Sequence, residues 1–286
     1  MNKSHNPSET WDIILQPKTG LFELHFRDIW RYRDLIILFV KRDFVTFYKQ
    51  TILGPLWYFL QPLLMTIVFT IIFGKVARIS TDGLPPFLFY LSGTVAWNYF
   101  AGCLTETSNT FISNASIFGK VYFPRLTVPI SVVVINLLKF SIQLLLFLGF
   151  YCYFIVMGTT VKPTFMVLIL PLFIFQMAML GLGVGILVSS LTTKYRDLNY
   201  LMNFFVQIWM YSTPVVFPAS IIPDRFLPVF MLNPMASIIE VFRAVFLGTG
   251  MINWGYIAIS WGITLCILFL GIILFNRIEK SFMDTV

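Results

Sequence analysis

The chain reads as an all-α polytopic membrane protein. It has six transmembrane helices, an N-terminal amphipathic interface helix, and an outer re-entrant helix pair between the fifth and sixth spans. Three observations predict this. The 286 residues are 58% hydrophobic and 12% charged, with a mean hydropathy of +0.82, where soluble domains carry roughly a quarter charged residues. Long apolar runs recur, separated by short basic loops. The stretch Ser212–Gly248, STPVVFPASIIPDRFLPVFMLNPMASIIEVFRAVFLG, is too apolar for an ordinary loop and too broken for one span.

Pro214, Pro218, Pro223, Pro228 and Pro234 cut that stretch into two pieces, roughly Ala219–Phe230 and Met235–Leu247. Pieces of about 10–14 residues read as re-entrant rather than spanning. Proline removes a backbone donor and clashes with the preceding turn, so the chain must dip in and return. Irregular backbone at membrane depth survives only when buried in protein or lining a wet cavity. Residues 214–248 therefore read as an outer gate shaped by Pro214, Pro218, Asn233 and Pro234. Glu240 and Arg243, at i and i+3, share a helix face and can pair across it. Exchanging the two charges should then recover part of the loss that either single change causes.

The elements follow in order, within a single membrane domain over 1–286. Residues 1–27 are polar, and the first fifty are too charged for a cleavable signal peptide. Asp28–Gln50 mixes aromatic and aliphatic residues with Arg31, Arg33, Lys41, Arg42 and Lys49, the pattern of an interfacial amphipathic helix. It suits a lipid anchor or a docking helix for a partner subunit. The first span is about Ile52–Ala77, roughly 39 Å of helix, with a kink expected at Pro62. The second is about Pro86–Phe111 and carries Tyr90, Trp97, Tyr99 and Phe100. A connecting segment, Ser113–Arg125, has room for one short helix. The third span, about Leu126–Met157, contains Lys139 and Gln143 on one face. An ammonium at that depth costs on the order of 3 kcal/mol, so Lys139 should pair with another helix or snorkel. The fourth, about Thr164–Ser190, carries Gly181, Gly183 and Gly185, a stripe that admits a close neighbour. The fifth is about Leu198–Tyr211 and the sixth about Ile252–Phe275.

Charge placement sets the topology. Of 20 Lys and Arg, eight precede Gln50. With the N-terminus inside, Lys120, Arg125, Lys194, Arg196, Arg277 and Lys280 join them on the cytoplasmic face. Lys75, Arg78, Lys162, Arg225 and Arg243 fall outside. That asymmetry puts both termini in the cytoplasm. It also argues for membrane lipids rather than nucleic acid as the partner of the +7 net charge. Cys103, Cys152 and Cys266 lie in apolar runs and read as small hydrophobes; His5 and His25 have no ligand-spaced partner, so no metal site is expected. No phosphate-binding loop is spelled out: Gly119-Lys120 lacks the earlier glycine and the following hydroxyl. Any nucleotide energy must come from another chain.

Several ordered segments carry a resemblance. RDLIILFVKRDFVTFYKQTILGPLWYFLQP (Arg33–Pro62) and WNYFAGCLTETSNTFISNASIFGKVYFPR (Trp97–Arg125) are followed by KYRDL (Lys194–Leu198) and STPVVFP (Ser212–Pro218). LNPMASIIEVFR (Leu232–Arg243) and RIEKSF (Arg277–Phe282) complete the set. Together they resemble the membrane subunit of type 2 ABC export permeases for cell-surface polysaccharides, most closely the O-antigen group. The resemblance covers nearly the whole chain from about Tyr32.

It implies a permease, not an enzyme, of the bacterial inner (cytoplasmic) membrane. Two copies would pair with two ABC ATPase subunits, which hold the ATP and magnesium; no cofactor is expected on this chain. The cargo would be a lipid-linked polysaccharide. The 28–50 segment becomes an interface helix, with Arg42 and Asp43 among its coupling residues. The 113–125 loop becomes a coupling helix seated on the ATPase, through Asn114, Phe118, Lys120, Tyr122 and Arg125. Aromatic residues would line the cargo path, and Trp57, Tyr58, Tyr90, Trp97, Tyr99 and Phe100 are candidates, about half of them facing it. An interfacial aromatic belt would use the same residue types. Other cargoes (teichoic acid, capsule or a drug) fit the composition equally. A membrane glycosyltransferase would need clustered acids, whereas Asp82, Asp224 and Glu240 are scattered.

Overall fold

One helix, Pro86–Ser108, is enclosed by the others, and the remainder of the chain is arranged around it. The computed structural model describes residues 26–50, 52–118, 120, 123–159, 164–192 and 197–282. Among the described residues the structure is helical and contains no strand. In chain order the helices are α1 (Phe26–Arg31), α2 (Arg33–Gln50), α3 (Trp57–Phe69), α4 (Pro86–Ser108), α5 (Thr110–Ser113), α6 (Ala115–Phe118), α7 (Thr127–Val156), α8 (Leu170–Thr192), α9 (Leu198–Tyr211), α10 (Leu227–Phe230), α11 (Pro234–Leu247) and α12 (Trp254–Phe282).

Among the described residues four helical stretches are long and apolar enough to cross a membrane: Gly54–Val76, Thr127–Val156, Phe165–Thr192 and Trp254–Arg277. α4 has 23 residues but is less apolar, because Ser92, Thr94, Asn98, Thr105 and Glu106 interrupt it. Its polar residues are tolerable because α4 is covered: α8 and α7 pack most heavily on it, then α3, α11 and α9. α9 has 14 residues, about 21 Å of rise, short of a hydrocarbon core of about 30 Å.

Local chemistry accounts for most boundaries. The first apolar helix runs through Pro62 and widens to π-helical winding over Thr70–Val76. The Thr66 and Thr70 hydroxyls donate to the carbonyls of Pro62 and Thr66 at 2.7 Å, competing with the backbone pattern there. The amphipathic segment is two helices that break at Tyr32 rather than one. Within the connecting loop the described residues hold one short helix, α6, and α5 precedes it after a break at Asn109. The glycine stripe of α8 serves two neighbours. Cβ atoms on Gly181 and Gly185 would collide with Cys103 and Thr107 of α4, whereas one on Gly183 would meet the Leu268 backbone of α12.

Among the described residues the buried apolar side chains form three clusters. The largest surrounds α4. A second gathers Phe39, Phe111, Phe118, Phe123, Val128, Ile186 and Phe275. A third, Ala219, Met231 and Ala236, lies under the proline-rich stretch.

Candidate functional site

The proline-rich stretch divides into two unlike halves. Its second half is α11, and all fourteen of its residues are buried. Its first half is not a single helix. A 3-10 turn at Ala219–Ile221 and the four-residue α10 are separated by Pro223, whose ring stops the turn from continuing. From Ser220 to Val229 this half is mostly exposed. The Ser220 hydroxyl donates to Asp82 Oδ1 (2.7 Å), tying it to the loop before α4.

α11 is fastened at both ends. Asn233 is its N-cap, accepting from the Met235 N–H (3.1 Å), and Pro234 occupies the first helical position, where no donor is needed. The Asn233 amide is used fully. Its oxygen also accepts from Trp209 Nε1 (2.9 Å), and its nitrogen donates to the Ser212 carbonyl (3.1 Å) and Thr213 Oγ1 (2.8 Å). At the C-terminal end, the Thr164 N–H and hydroxyl donate to the carbonyls of Val245 (3.0 Å) and Ala244 (3.3 Å). Pro214 and Pro218 are buried in the turn leading out of α9.

Glu240 and Arg243 are 3% and 1% exposed, so this is a buried pair. Their mutual contact, Arg243 Nη1 to Glu240 Oε1, is long at 3.4 Å. Each has a closer partner elsewhere. Arg243 Nη2 donates to the Val215 carbonyl at 2.9 Å, and its guanidinium carbon lies 3.7 Å from the Phe89 ring centroid. Glu240 Oε2 accepts from the Met251 N–H at 2.9 Å, and Oε1 from the Ala219 N–H at 3.4 Å. Burial pulls the Arg243 guanidinium down to about 10, with Glu240 acting in the opposite direction, so it stays protonated at neutral pH. The two charges fasten the chain before and after α11, at Val215, Ala219 and Met251.

Of the six candidate aromatic residues, Tyr58, Tyr90, Trp97, Tyr99 and Phe100 are buried and Trp57 is exposed. The buried rings meet other rings: Trp97 and Phe100 lie 6.5 and 4.9 Å from Trp209, and Tyr99 lies 5.0 Å from Phe140. Four of the five are on α4, and the enclosure of that helix explains their burial.

A different face was not singled out from the sequence. α9 buries Met202, Val206 and Met210 and turns Tyr200, Asn203, Gln207 and Tyr211 outward. These four recur at steps of 3, 4 and 4, one side of a helix. Gln61, one turn past Trp57 on α3, is exposed too. The spacing is visible in the sequence; that the face is uncovered is not.

Of the candidate coupling residues, Phe118, Arg125 and Arg42 gather around one aromatic group. Phe118 and Arg125 are buried, with the Arg125 guanidinium 5.7 Å from the Phe118 ring. Phe123 lies 5.7 Å from Phe118 and 5.8 Å from Phe39 of α2, and Arg42 sits 4.9 Å over Phe39. Arg42 also bonds Asp43 (2.6 Å). Asn114 is buried and donates to the Thr110 carbonyl (3.1 Å), while Lys120 is exposed. Tyr122 lies outside the described residues. Lys139 pairs with Glu106 of α4, whose other oxygen accepts from Asn136 Nδ2 (2.8 Å). Among the described residues no three His, Cys, Asp or Glu side chains come together as a metal site.

The family described as ABC-2 type transporter matches residues 34–247. The chain is 30% identical over 251 residues to the O-antigen export system permease protein RfbA of Klebsiella pneumoniae, covering 88% of this chain and 94% of that protein. It is 30% identical over 224 residues to the RfbA permease of Myxococcus xanthus, covering 77% and 83%. It is 23% identical over 267 residues to the capsule polysaccharide export inner-membrane protein CtrC of Neisseria meningitidis serogroup B, covering 90% and 97%.

Proposed function

Because the chain belongs to the ABC-2 type transporter membrane family, we propose that it is the permease subunit of an ATP-driven exporter of lipid-linked polysaccharide in the inner membrane. Two copies work with two ATPase subunits, which supply ATP and magnesium. The six crossings are α3, α4, α7, α8, α9 extended by the buried turn that follows it, and α12, with both termini cytoplasmic. The cargo is of the O-antigen class. The similarity to a capsule exporter supports a neighbouring polysaccharide as the second reading.

The observation that carries the cargo assignment is the outward face of α9. An amide turned to lipid has no partner for its donors and acceptors. Asn203 and Gln207 therefore belong beside water, cargo or a second copy of the chain. Tyr200 and Tyr211, on the same side, add rings. Rings stack on the C–H faces of sugars and amides meet their hydroxyls, so such a face suits a sliding glycan. The buried aromatic residues of α4 support it from behind through Trp209. α2 and the 113–125 loop form the ATPase docking surface, and residues 214–248 close the outer end.

The test is reconstitution. The chain and its partner ATPase in proteoliposomes should make a lipid-linked polysaccharide inaccessible to an added glycosidase only when ATP is supplied. Transfer without the ATPase, or ATP hydrolysis by this chain alone, overturns the assignment.

A further inference from the structure

α12 has a residue at each of the three apolar clusters, and among the described helices it alone does. Phe275 belongs to the cluster around the coupling residues, Ile257 to the one around α4, and Tyr256 packs on the one beneath the proline-rich stretch.

At its inner end the contacts form an unbroken series of rings. Phe39 of α2 meets Phe123 (5.8 Å), Phe123 meets Phe118 (5.7 Å), Phe118 meets Phe111 (5.8 Å), and Phe111 stacks on Phe275 at 4.9 Å and 24°. Phe111 and Phe275 are essentially inaccessible to solvent. The α5 and α6 segments therefore cannot shift without displacing Phe275 or breaking a packed stack.

At its outer end α12 is bonded to α11. The Ser260 hydroxyl donates to the Pro234 carbonyl (3.0 Å), beside the Asn233 cap, and Ser237 of α11 donates to the Tyr256 carbonyl (3.4 Å). Between the two ends α12 is braced by α8. Gln176 Nε2 donates to Ser260 Oγ (2.8 Å) and contacts Thr264 Oγ1 (3.4 Å). Further in, a Cβ on Gly271 would lie 2.8 Å from the Gly183 carbonyl oxygen, so the two backbones touch. Residues 260 and 275 are about 22 Å apart along the helix. Densely packed helices of this kind shift as units rather than deforming smoothly.

We infer that α12, braced by α8, is a strut linking the inner aromatic block to α11, with Phe275 and Ser260 as the positioning residues at its two ends. The inference rests on the ATP-driven reading above and assigns a role to residues outside the docking and cargo faces.

Cys152 and Cys266 are replaced by Ser, and Val229, exposed on the outer stretch, by Cys. The chain is assembled with its ATPase, and labelling of position 229 by an impermeant maleimide is compared with and without a non-hydrolysable ATP analogue. The parent should show a nucleotide-dependent labelling ratio. Phe275→Leu and Ser260→Ala should each bring that ratio to about one, the value for uncoupled sites, with the ATPase still bound. Ser260→Thr, which keeps the hydroxyl, should retain the parent ratio. If Phe275→Leu loses the ATPase, Ser260→Ala at the far end decides alone. An unchanged ratio in Ser260→Ala overturns the strut while leaving the export reading intact. A ratio of one in the parent overturns the outer-gate reading, and the strut with it.

Discussion

The Arg243 guanidinium carbon stands 3.7 Å from the Phe89 ring centroid, across the boundary between α11 and α4. The same guanidinium bonds the Val215 carbonyl at 2.9 Å, shorter than its 3.4 Å contact with Glu240, the partner the sequence suggested. The charge is placed by an aromatic face and a carbonyl, neither of which would accept a carboxylate.

Arg243→Ala should therefore destabilise the protein by about 3–5 kcal/mol, the cost of leaving a buried charge without its partner. The reversed pair, Glu240→Arg with Arg243→Glu, should give no recovery. It would set a carboxylate against the Val215 carbonyl and a guanidinium against the N–H groups of Ala219 and Met251. Thermal unfolding in detergent measures both, and substantial recovery in the reversed pair would show that the ion pair itself is what matters.

Asn233→Asp tests the cap. It keeps an oxygen for the Met235 N–H and for Trp209 but loses the donors to Ser212 and Thr213, and turns an anion toward a carbonyl. A loss of about 1–3 kcal/mol is expected from the unmet groups. A stability equal to that of the parent would mean that the cap alone matters.

The coupling loop should separate into two kinds of site. Phe118→Ala opens a cavity in the inner cluster and should cost about 3–5 kcal/mol of stability. Arg125→Ala removes the buried cation over the same ring and should lower stability as well. Lys120 is exposed. Lys120→Glu should leave the unfolding temperature unchanged and still reduce copurification of the ATPase, as measured by quantitative pull-down.

On α9, Asn203→Leu with Gln207→Leu should lower the export rate by about tenfold, equivalent to about 1.4 kcal/mol, with assembly and folding unaffected. The paired control is Met202→Ala on the buried face, which should reduce stability by about 2–5 kcal/mol. Unchanged export in the double variant would remove this face from the cargo path.

Lys139 lies 12 residues from the start of α7 at Thr127 and faces the Glu106 carboxylate of α4. Its partner Glu106 is partly exposed. Lys139→Met should therefore cost no more than about 1 kcal/mol and leave export intact, measured by unfolding and by the reconstituted assay.

Periodicity and punctuation make much of this protein legible in its amino-acid order alone. Leu198 and Tyr211 bound α9 where the apolar run begins and ends, and Asn233-Pro234 announces the start of α11. The i, i+3 spacing puts Glu240 beside Arg243. These features are local, decided by proline's missing donor, capping side chains and helical repeat. What covers a face is a different matter, because it depends on segments far away in the chain. Trp97 and Tyr99 resemble surface aromatic residues until α7, α8 and α9 close around α4. Arg243 finds Phe89 more than 150 residues upstream. Lys139 reads as an ion in hydrocarbon until Glu106, 33 residues earlier, arrives beside it. Gly183 turns to α12 while Gly181 and Gly185 turn to α4, although the three stand in one stripe. A helix's sequence states which sides it offers; the free energy of burying apolar surface and pairing polar groups, summed over the whole bundle, decides what meets them.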